Sequence, residues 1–263
     1  MSTISSSHPA AQSSQSRTGL ADLWRLWRNE SHDPEAFYRV LAERAVTDLE
    51  RWFGPLEDQH IADIGCGPGW YTRALRRVGA EVTPVDHDSS ELESDGRRLE
   101  GGIVGDAMDL PLRDGVFDGV FSSNMLEHTP EPERVITEVA RVLRPGGWAY
   151  VSWTNWFSPW GGHDMTPYHF LGPRLGLRLY RRRHGDEPKC VYGDSLWPCH
   201  IGPMLRFIRS RPELQVVAVE PRYWPSLRVI VDVPILRELA TWNCVVRLRK
   251  WRPDAVGGGA QLG

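Results

Sequence analysis

Apolar residues recur every three or four positions from residue 20 to 53, at Leu23, Leu26 and Trp27 and again at Phe37, Val40, Leu41 and Val46. That period predicts a helical segment with one face turned to a core. From residue 60 the pattern shortens and repeats as strand, turn, helix. Residues 60–64 predict a strand, 70–78 a helix ended by Gly79, and 81–86 a second strand. Residues 101–107 and 116–124 predict the third and fourth. The stretch TPEPERVITEVARVLRPGG then predicts a helix capped by Thr129, with Pro130 in its first turn and Val135, Val139 and Val142 on one face. RPGG stops it, and residues 147–153 read as a fifth strand. Strands alternating with helices imply a parallel sheet covered on both faces.

The rhythm breaks after Trp153. Residues 154–199 are rich in Trp, Pro, Gly and His without a clean period, which marks an insertion or cap. Strand alternation resumes at 214–221, and 243–250 predicts a last strand. The organisation expected is a disordered tail over 1–19, a helical cover over 20–55, a sheet core over 56–153, a cap over 154–212, a C-terminal part of the sheet over 213–252 and a flexible tail over 253–263. The first 19 residues are Ser-rich and lack the apolar stretch of a secretory signal.

Composition narrows the classes. No apolar run approaches the roughly 18 residues of a membrane span. The net charge of -3 argues against a general nucleic-acid binder. Cys66, Cys190, Cys199 and Cys244 are scattered without a CxxC pair, so neither a zinc site nor a disulfide framework is expected, and a reducing cytoplasm fits. Cys66 reads as a small buried residue. The charge is polarised: residues 81–140 carry net -11, and residues 170–211 carry net +6.

The chemistry begins at HIADIGCGPGWYT, residues 60–72. In a parallel α/β sheet, ligands bind beyond the carboxyl ends of the strands, and glycines let a ligand approach the backbone. Helix-start amides can then face an anionic or polar group. A dinucleotide fingerprint G-x-G-x-x-G needs glycine at position 70, where Trp70 stands. The spacing is instead Asp63-x-Gly65-x-Gly67-x-Gly69, which resembles the first motif of class I S-adenosylmethionine-dependent methyltransferases.

The resemblance extends over roughly residues 37–153 and is closest to the branch acting on small molecules and lipids. It implies an α/β fold with a Rossmann-like, mostly parallel seven-stranded sheet, helices on both faces and an inserted aromatic and basic cap. It also implies S-adenosyl-L-methionine as cofactor. Asp86, closing the second strand, would take both ribose hydroxyls. In GDAMDLP, Asp106 would accept from the adenine amino group and the Ala107 amide would donate to the ring. Cys66 lies in the cofactor loop, Asn124 at the fourth-strand exit beside it, and His87 stands where relatives often pack an apolar residue on adenine. His87 either stacks there or faces solvent. Trp70 either closes over the methionine end or packs in the core, and Asp63 would orient the loop.

Methyl transfer from a sulfonium is an in-line displacement, so alignment and water exclusion dominate, and a hydroxyl acceptor needs a base. SSNM at 122–125 lacks the prolines of DNA-amino and glutamine methyltransferase motifs. His128, beside Glu127, is a candidate base, with a structural histidine as the alternative. A His163–Asp164 base is weighed against loop hydrogen bonding. Joining His169 to them as a metal site lacks a fourth ligand, so no metal is expected.

Trp70, Trp153, Trp156, Trp160, Tyr168 and Arg174 are the expected acceptor contacts. Arg174, Arg178, Arg181, Arg182 and Arg183, among Leu171, Leu175 and Leu179, suit an anionic headgroup, a charged substrate or an anionic membrane face; the alternative is a solvated helix face. The expected activity is methyl transfer to a small or lipid-linked, anionic acceptor, at oxygen rather than nitrogen, in a cytoplasmic enzyme that touches the inner membrane face. The rivals are a non-catalytic protein of the same fold and a nicotinamide-dependent oxidoreductase. Oligomeric state has no signal here.

Overall fold

A computed structural model describes residues 34–94 and 97–252. The expected tails at 1–19 and 253–263, and residues 20–33 of the helical cover, lie outside the described residues. The described residues from 39 to 252 belong to one compact unit; of the other, Met1–Tyr38, the described part is the opening of the first helix.

Helix α1 (Pro34–Phe53) precedes strand β1 (His60–Ile64), helix α2 (Trp70–Arg77) and strand β2 (Glu81–Asp86). A two-stranded hairpin, β3 (Glu93–Ser94) and β4 (Arg97–Arg98), leads to the short strand β5 (Ile103–Val104) and then to β6 (Phe117–Ser123). Helix α3 (Pro132–Val142) feeds β7 (Leu143–Thr154) without a break, so RPGG falls inside the strand as an irregularity: Phe117 pairs with Leu143, and the next pair is Gly119 with Trp148. The segment expected to be an irregular cap contains helices α4 (Pro173–His184) and α5 (Ile201–Ser210). Strand β8 (Leu214–Pro221), helix α6 (Pro234–Ala240) and strand β9 (Asn243–Lys250) follow.

The seven-stranded sheet has the order β5-β2-β1-β6-β7-β9-β8. Neighbours from β5 to β7 run parallel, and β9 runs antiparallel between β7 and β8. The carboxyl ends of β1, β2, β6, β7 and β8 therefore share one edge.

Strand alternation divides the core. Ile61, Phe121, Trp148, Tyr150 and Val245 face one layer with Ala42, Val46 and Leu49 of α1 and Leu75 of α2. Ala62, Val120, Ala149, Val151, Trp153 and Val246 face the other, against Ile136 and Val139 of α3 and Met204, Leu205 and Ile208 of α5. Successive side chains of a strand point to opposite faces, and both faces here are apolar, as a doubly covered sheet requires. Arg247, on the first face, is buried between Asp48 of α1 and Glu220 of β8; two acids compensate a charge whose isolated burial would be costly.

Candidate active site

The glycine loop leaves β1 and enters α2. Gly65 N and Cys66 N both donate to Val85 O, at 2.8 and 3.2 Å, and Gly69 N donates to Cys66 O at 3.0 Å. Gly69 has φ 81°, and a Cβ there would lie 2.7 Å from Leu99 Cδ2. Gly67 differs: φ is 49°, but a Cβ would meet nothing nearer than Glu91 Oε2 at 3.8 Å. Gly69 is thus a glycine for packing, while Gly67 leaves its surface open.

Asp63 lies buried at the end of β1 and accepts from Thr72 Oγ1 of α2 at 2.6 Å. Burial pushes its carboxyl up to about 7, opposed by the Thr72 hydrogen bond and reinforced by the charge of Asp86. It clamps strand to helix from beneath the loop. Cys66 is buried too, and burial pushes its thiol well up, with Asp63 and Asp86 adding to the effect. A protonated thiol packed in this way is a poor nucleophile.

Asp86 closes β2. Its Oδ2 accepts from Gly67 N at 2.8 Å and its Oδ1 from Asp88 N at 3.1 Å. A carboxylate has about four lone-pair sites, so each oxygen keeps one to offer. Paired oxygens at the rim of an open glycine loop fit a ribose diol. Asp106 is exposed, and its Oδ1 accepts from Met108 N at 2.8 Å, which leaves Oδ2 for an exocyclic amine; Ala107 is half-buried beside it. His87 is turned outward, its side chain 85% exposed, with Nδ1 3.7 Å from Asp86 Oδ1. These residues fit S-adenosylmethionine.

At the exit of β6, Asn124 (φ 56°) accepts at Oδ1 from Arg222 Nη1 at 2.8 Å and from Asn243 Nδ2 at 2.9 Å. Arg222 follows β8 and is half-buried. It also donates to Ser123 Oγ at 2.9 Å and to Tyr71 Oη at 2.6 Å. Burial works to lower the guanidinium, but the surrounding Tyr71, Tyr150 and Tyr223 outweigh it, so the group stays cationic. Among the described residues no carboxylate pairs with it. Sequence reasoning missed Arg222 and Tyr71. Their signal was positional: Arg222 is the first residue past the carboxyl end of a strand, and Tyr71 is in the first turn after the glycine loop.

Beyond Asn124, a single 3-10 turn carries Leu126–His128. Glu127 is buried, and its Oε1 accepts from Thr154 N at 2.9 Å. His128 Nδ1 lies 2.7 Å from Ser195 O. His163, in a second short turn at φ 49°, brings Nε2 to 4.0 Å from Glu127 Oε1, and the His128 and His163 rings lie 4.9 Å apart. Burial holds His163 below its ordinary value, with Glu127 opposing.

The expected His163–Asp164 pair is corrected: Asp164 accepts from the backbone amides of Lys189 and Cys190, and the carboxylate facing His163 is Glu127. Nor do His163, Asp164 and His169 converge, since His169 Nε2 lies 3.1 Å from Trp156 O.

The expected acceptor contacts separate. Trp153 is fully buried in the face shared with α3 and α5, because β7 is covered on both sides, so its assignment to the acceptor is withdrawn. Trp156 is buried against His169 and Tyr192, Trp160 packs on Trp242, and Tyr168 on Tyr180 and His184. Trp70 is half-buried under Arg73, and Arg174 is exposed on α4.

Strand order, glycine loop and paired acids define an α/β protein whose candidate cofactor site lies at the strand ends. Residues 62–151 match the family described as methyltransferase domain. The chain is 37% identical over 240 residues to an uncharacterized methyltransferase of Mycobacteroides abscessus, covering 86% of this chain and 92% of that one. It is 34% identical over 254 residues to another, from Mycolicibacterium vanbaalenii, covering 92% and 99%. A solved S-adenosylmethionine-dependent methyltransferase from Mesorhizobium loti shares the fold, with a TM-score of 0.55 at 23% identity, over 78% of this chain and 96% of that one. The chain belongs to the class I S-adenosylmethionine-dependent methyltransferases, and its cofactor is S-adenosylmethionine.

Proposed function

We propose that this methyltransferase acts on a small or lipid-linked acceptor carrying an anionic group, and that it delivers the methyl to oxygen. The observation that carries the reading is Arg222, a half-buried cation whose hydrogen-bond partners Ser123, Asn124 and Tyr71 are all neutral. A guanidinium in that setting favours a carboxylate or phosphate held in a forked pair of hydrogen bonds. Oxygen is favoured because Glu127, His128 and His163 gather at the exit of β6, where a hydroxyl proton has to be removed or displaced. Bound S-adenosylmethionine supplies a sulfonium methyl; on this reading Asp86, Gly67, Asp106 and Ala107 hold it, and Asn124 lies beside them.

The test is methyl transfer from radiolabelled cofactor to a panel of hydroxylated carboxylates, phosphates and lipid extracts, with wild type and Arg222→Met. Loss of transfer to anionic acceptors, with S-adenosylhomocysteine affinity held within about twofold, supports the reading. If Arg222→Met instead weakens S-adenosylhomocysteine binding about tenfold, the cation serves the methionine carboxylate and the anionic acceptor loses its support.

Contact with an anionic membrane belongs to the same reading. Phe157, Phe170, Leu171 and Leu175 are exposed beside Arg174 and Arg178, an arrangement suited to a lipid interface. No helix among the described residues is long and apolar enough to cross a membrane. Co-sedimentation with anionic vesicles at low salt should be lost on Arg174→Glu with Arg178→Glu; wild type that ignores such vesicles would end the membrane part of the reading.

A further inference from the structure

Two buried polar atoms at the exit of β6 have no hydrogen-bond partner: Glu127 Oε2 and His163 Nε2. Glu127 is 1% exposed. The neighbour of this carboxylate is an imidazole, with His163 Nε2 4.0 Å from Oε1, rather than a lysine or arginine, and a buried carboxylate so placed is costly unless something compensates it. His128 completes the group: one ligand atom from each of Glu127, His128 and His163 lies within 4.8 Å of the other two.

Backbone groups hold two of the three residues. Ser195 O can only accept, so His128 Nδ1 carries the proton in the 2.7 Å contact and Nε2 keeps its lone pair. Thr154 N holds Glu127 Oε1, which leaves Oε2 unpaired. Asp164 accepts from the backbone amides of Lys189 and Cys190, and the carboxylate nearest His163 Nε2 is that of Glu127. A carbonyl bound to the far nitrogen of one imidazole and an amide bound to one carboxylate oxygen are the supports that metal ligands commonly have.

We propose that Glu127, His128 and His163 bind a divalent first-row transition ion, such as zinc. Three atoms at mutual distances of 4.8 Å lie about 2.8 Å from their common centre, so closing to bonds of about 2.0–2.1 Å takes less than about 1 Å of movement by each side chain. Two imidazoles with one carboxylate select zinc or its neighbours over calcium or magnesium, which prefer all-oxygen sets. Three protein ligands leave a coordination position open, the arrangement of a catalytic rather than a structural ion.

The site deepens the oxygen reading and rests on it only for its consequence in catalysis. An acceptor hydroxyl in the open position would release its proton to solvent. The ion would supply Lewis acidity that eases loss of that proton, and the acceptor oxygen would form the new C–O bond as the C–S bond of the sulfonium breaks, leaving the thioether as the other product.

Binding is measured without any acceptor. The full chain is stripped with chelator, loaded with zinc, desalted and assayed by elemental mass spectrometry, and its affinity is read by competition with a chromophoric chelator. Cobalt substitution gives an independent readout on the wild type through visible d–d absorption. The result expected is about one ion per chain, a cobalt spectrum of a four- or five-coordinate site, and at least a tenfold loss of zinc affinity in Glu127→Gln and His163→Ala. His184→Ala, on exposed α4, should leave the affinity unchanged, and S-adenosylhomocysteine binding by calorimetry should persist in all three variants. Substoichiometric zinc and a hexaaqua cobalt spectrum on wild type would overturn the proposal. So would folded Glu127→Gln and His163→Ala variants with wild-type zinc affinity. A loaded site together with no transfer to any hydroxyl would leave the metal proposal standing and refute the oxygen reading.

Discussion

Replacing Asp63 by asparagine should flatten the acid side of the protein's stability profile. Asp63 is buried at the foot of the glycine loop, and its carboxyl is pushed up to about 7, first by burial, against the Thr72 hydrogen bond. In the unfolded chain it ionises near 3.8. Between those values the native state holds a proton that the unfolded state has released. The native state binds more protons, so stability falls as pH rises from about 4 to 7. Three units of difference correspond to about 4 kcal/mol at 1.36 kcal/mol per unit. This stability is fully present below about pH 4 and is lost by about pH 8. Asparagine has no proton to lose, and its carbonyl oxygen can still accept from Thr72 Oγ1. The assay is urea denaturation followed by circular dichroism at pH steps from about 4 to 8, with m-values compared to keep the difference one of stability. Wild type should gain about 4 kcal/mol relative to Asp63→Asn on going from the alkaline to the acid end. Parallel profiles would mean that Asp63 is ionised in the native state, and the account of burial outweighing the Thr72 hydrogen bond would be wrong.

Asp86→Ala should weaken S-adenosylhomocysteine binding by about ten- to a hundredfold, the range of about 1.5–3 kcal/mol for hydrogen bonds to a charged group, and calorimetry would read it directly. Gly69→Ala places a Cβ 2.7 Å from Leu99 at φ 81° and should cost about 2–4 kcal/mol in denaturation midpoints through left-handed strain and overpacking; an unchanged midpoint would show that Leu99 yields freely. Trp153→Phe should cost about 1–3 kcal/mol of stability and leave S-adenosylhomocysteine affinity unchanged, because the ring lies in the core; a folded variant with altered acceptor preference but intact stability would return Trp153 to the site. Cys66 should resist alkylation in the native state, since burial holds its thiol protonated; labelling at the rate of an exposed thiol, followed by peptide mass spectrometry, would contradict that.

The clustering of the glycine loop with Asp86 was legible because these residues are local and carry spacing: Asp63, Gly65, Gly67 and Gly69 share one turn, and Asp86 ends the next strand. β8 and β9 were legible from alternation alone. The cluster around Arg222 was not, because its contacts join residues far apart in the chain. Arg222 reaches Tyr71 and Asn124 across 151 and 98 positions, and no local pattern announces such a meeting. Trp153 was misplaced for a different reason. A strand covered on both faces has no polar face to distinguish an inward core residue from one that lines a cleft. Helix α5 did carry a signal, with Ile201, Met204, Leu205 and Ile208 at helical spacing and all buried, but Gly202 and Pro203 masked its first turn. Glu127 rather than Asp164 faces His163 because the chain after His163 turns Asp164 toward Lys189 and Cys190, and spacing cannot foresee that turn.

Strand β9 is the last described element of the chain, yet it occupies an interior place in the sheet, between β7 and β8. Its first residue, Asn243, holds both Arg222, through a backbone hydrogen bond of 2.9 Å, and Asn124, through its side chain. During synthesis, then, a chain that has emerged only as far as β8 already carries the glycine loop, Asp86 and Asp106 but has β7 unpaired along one edge. The cluster of Arg222, Asn124 and Asn243 cannot be assembled until β9 is released, and pairing across such separations is slow. The order of translation thus imposes an order of assembly, in which the glycine loop precedes the cluster around Arg222.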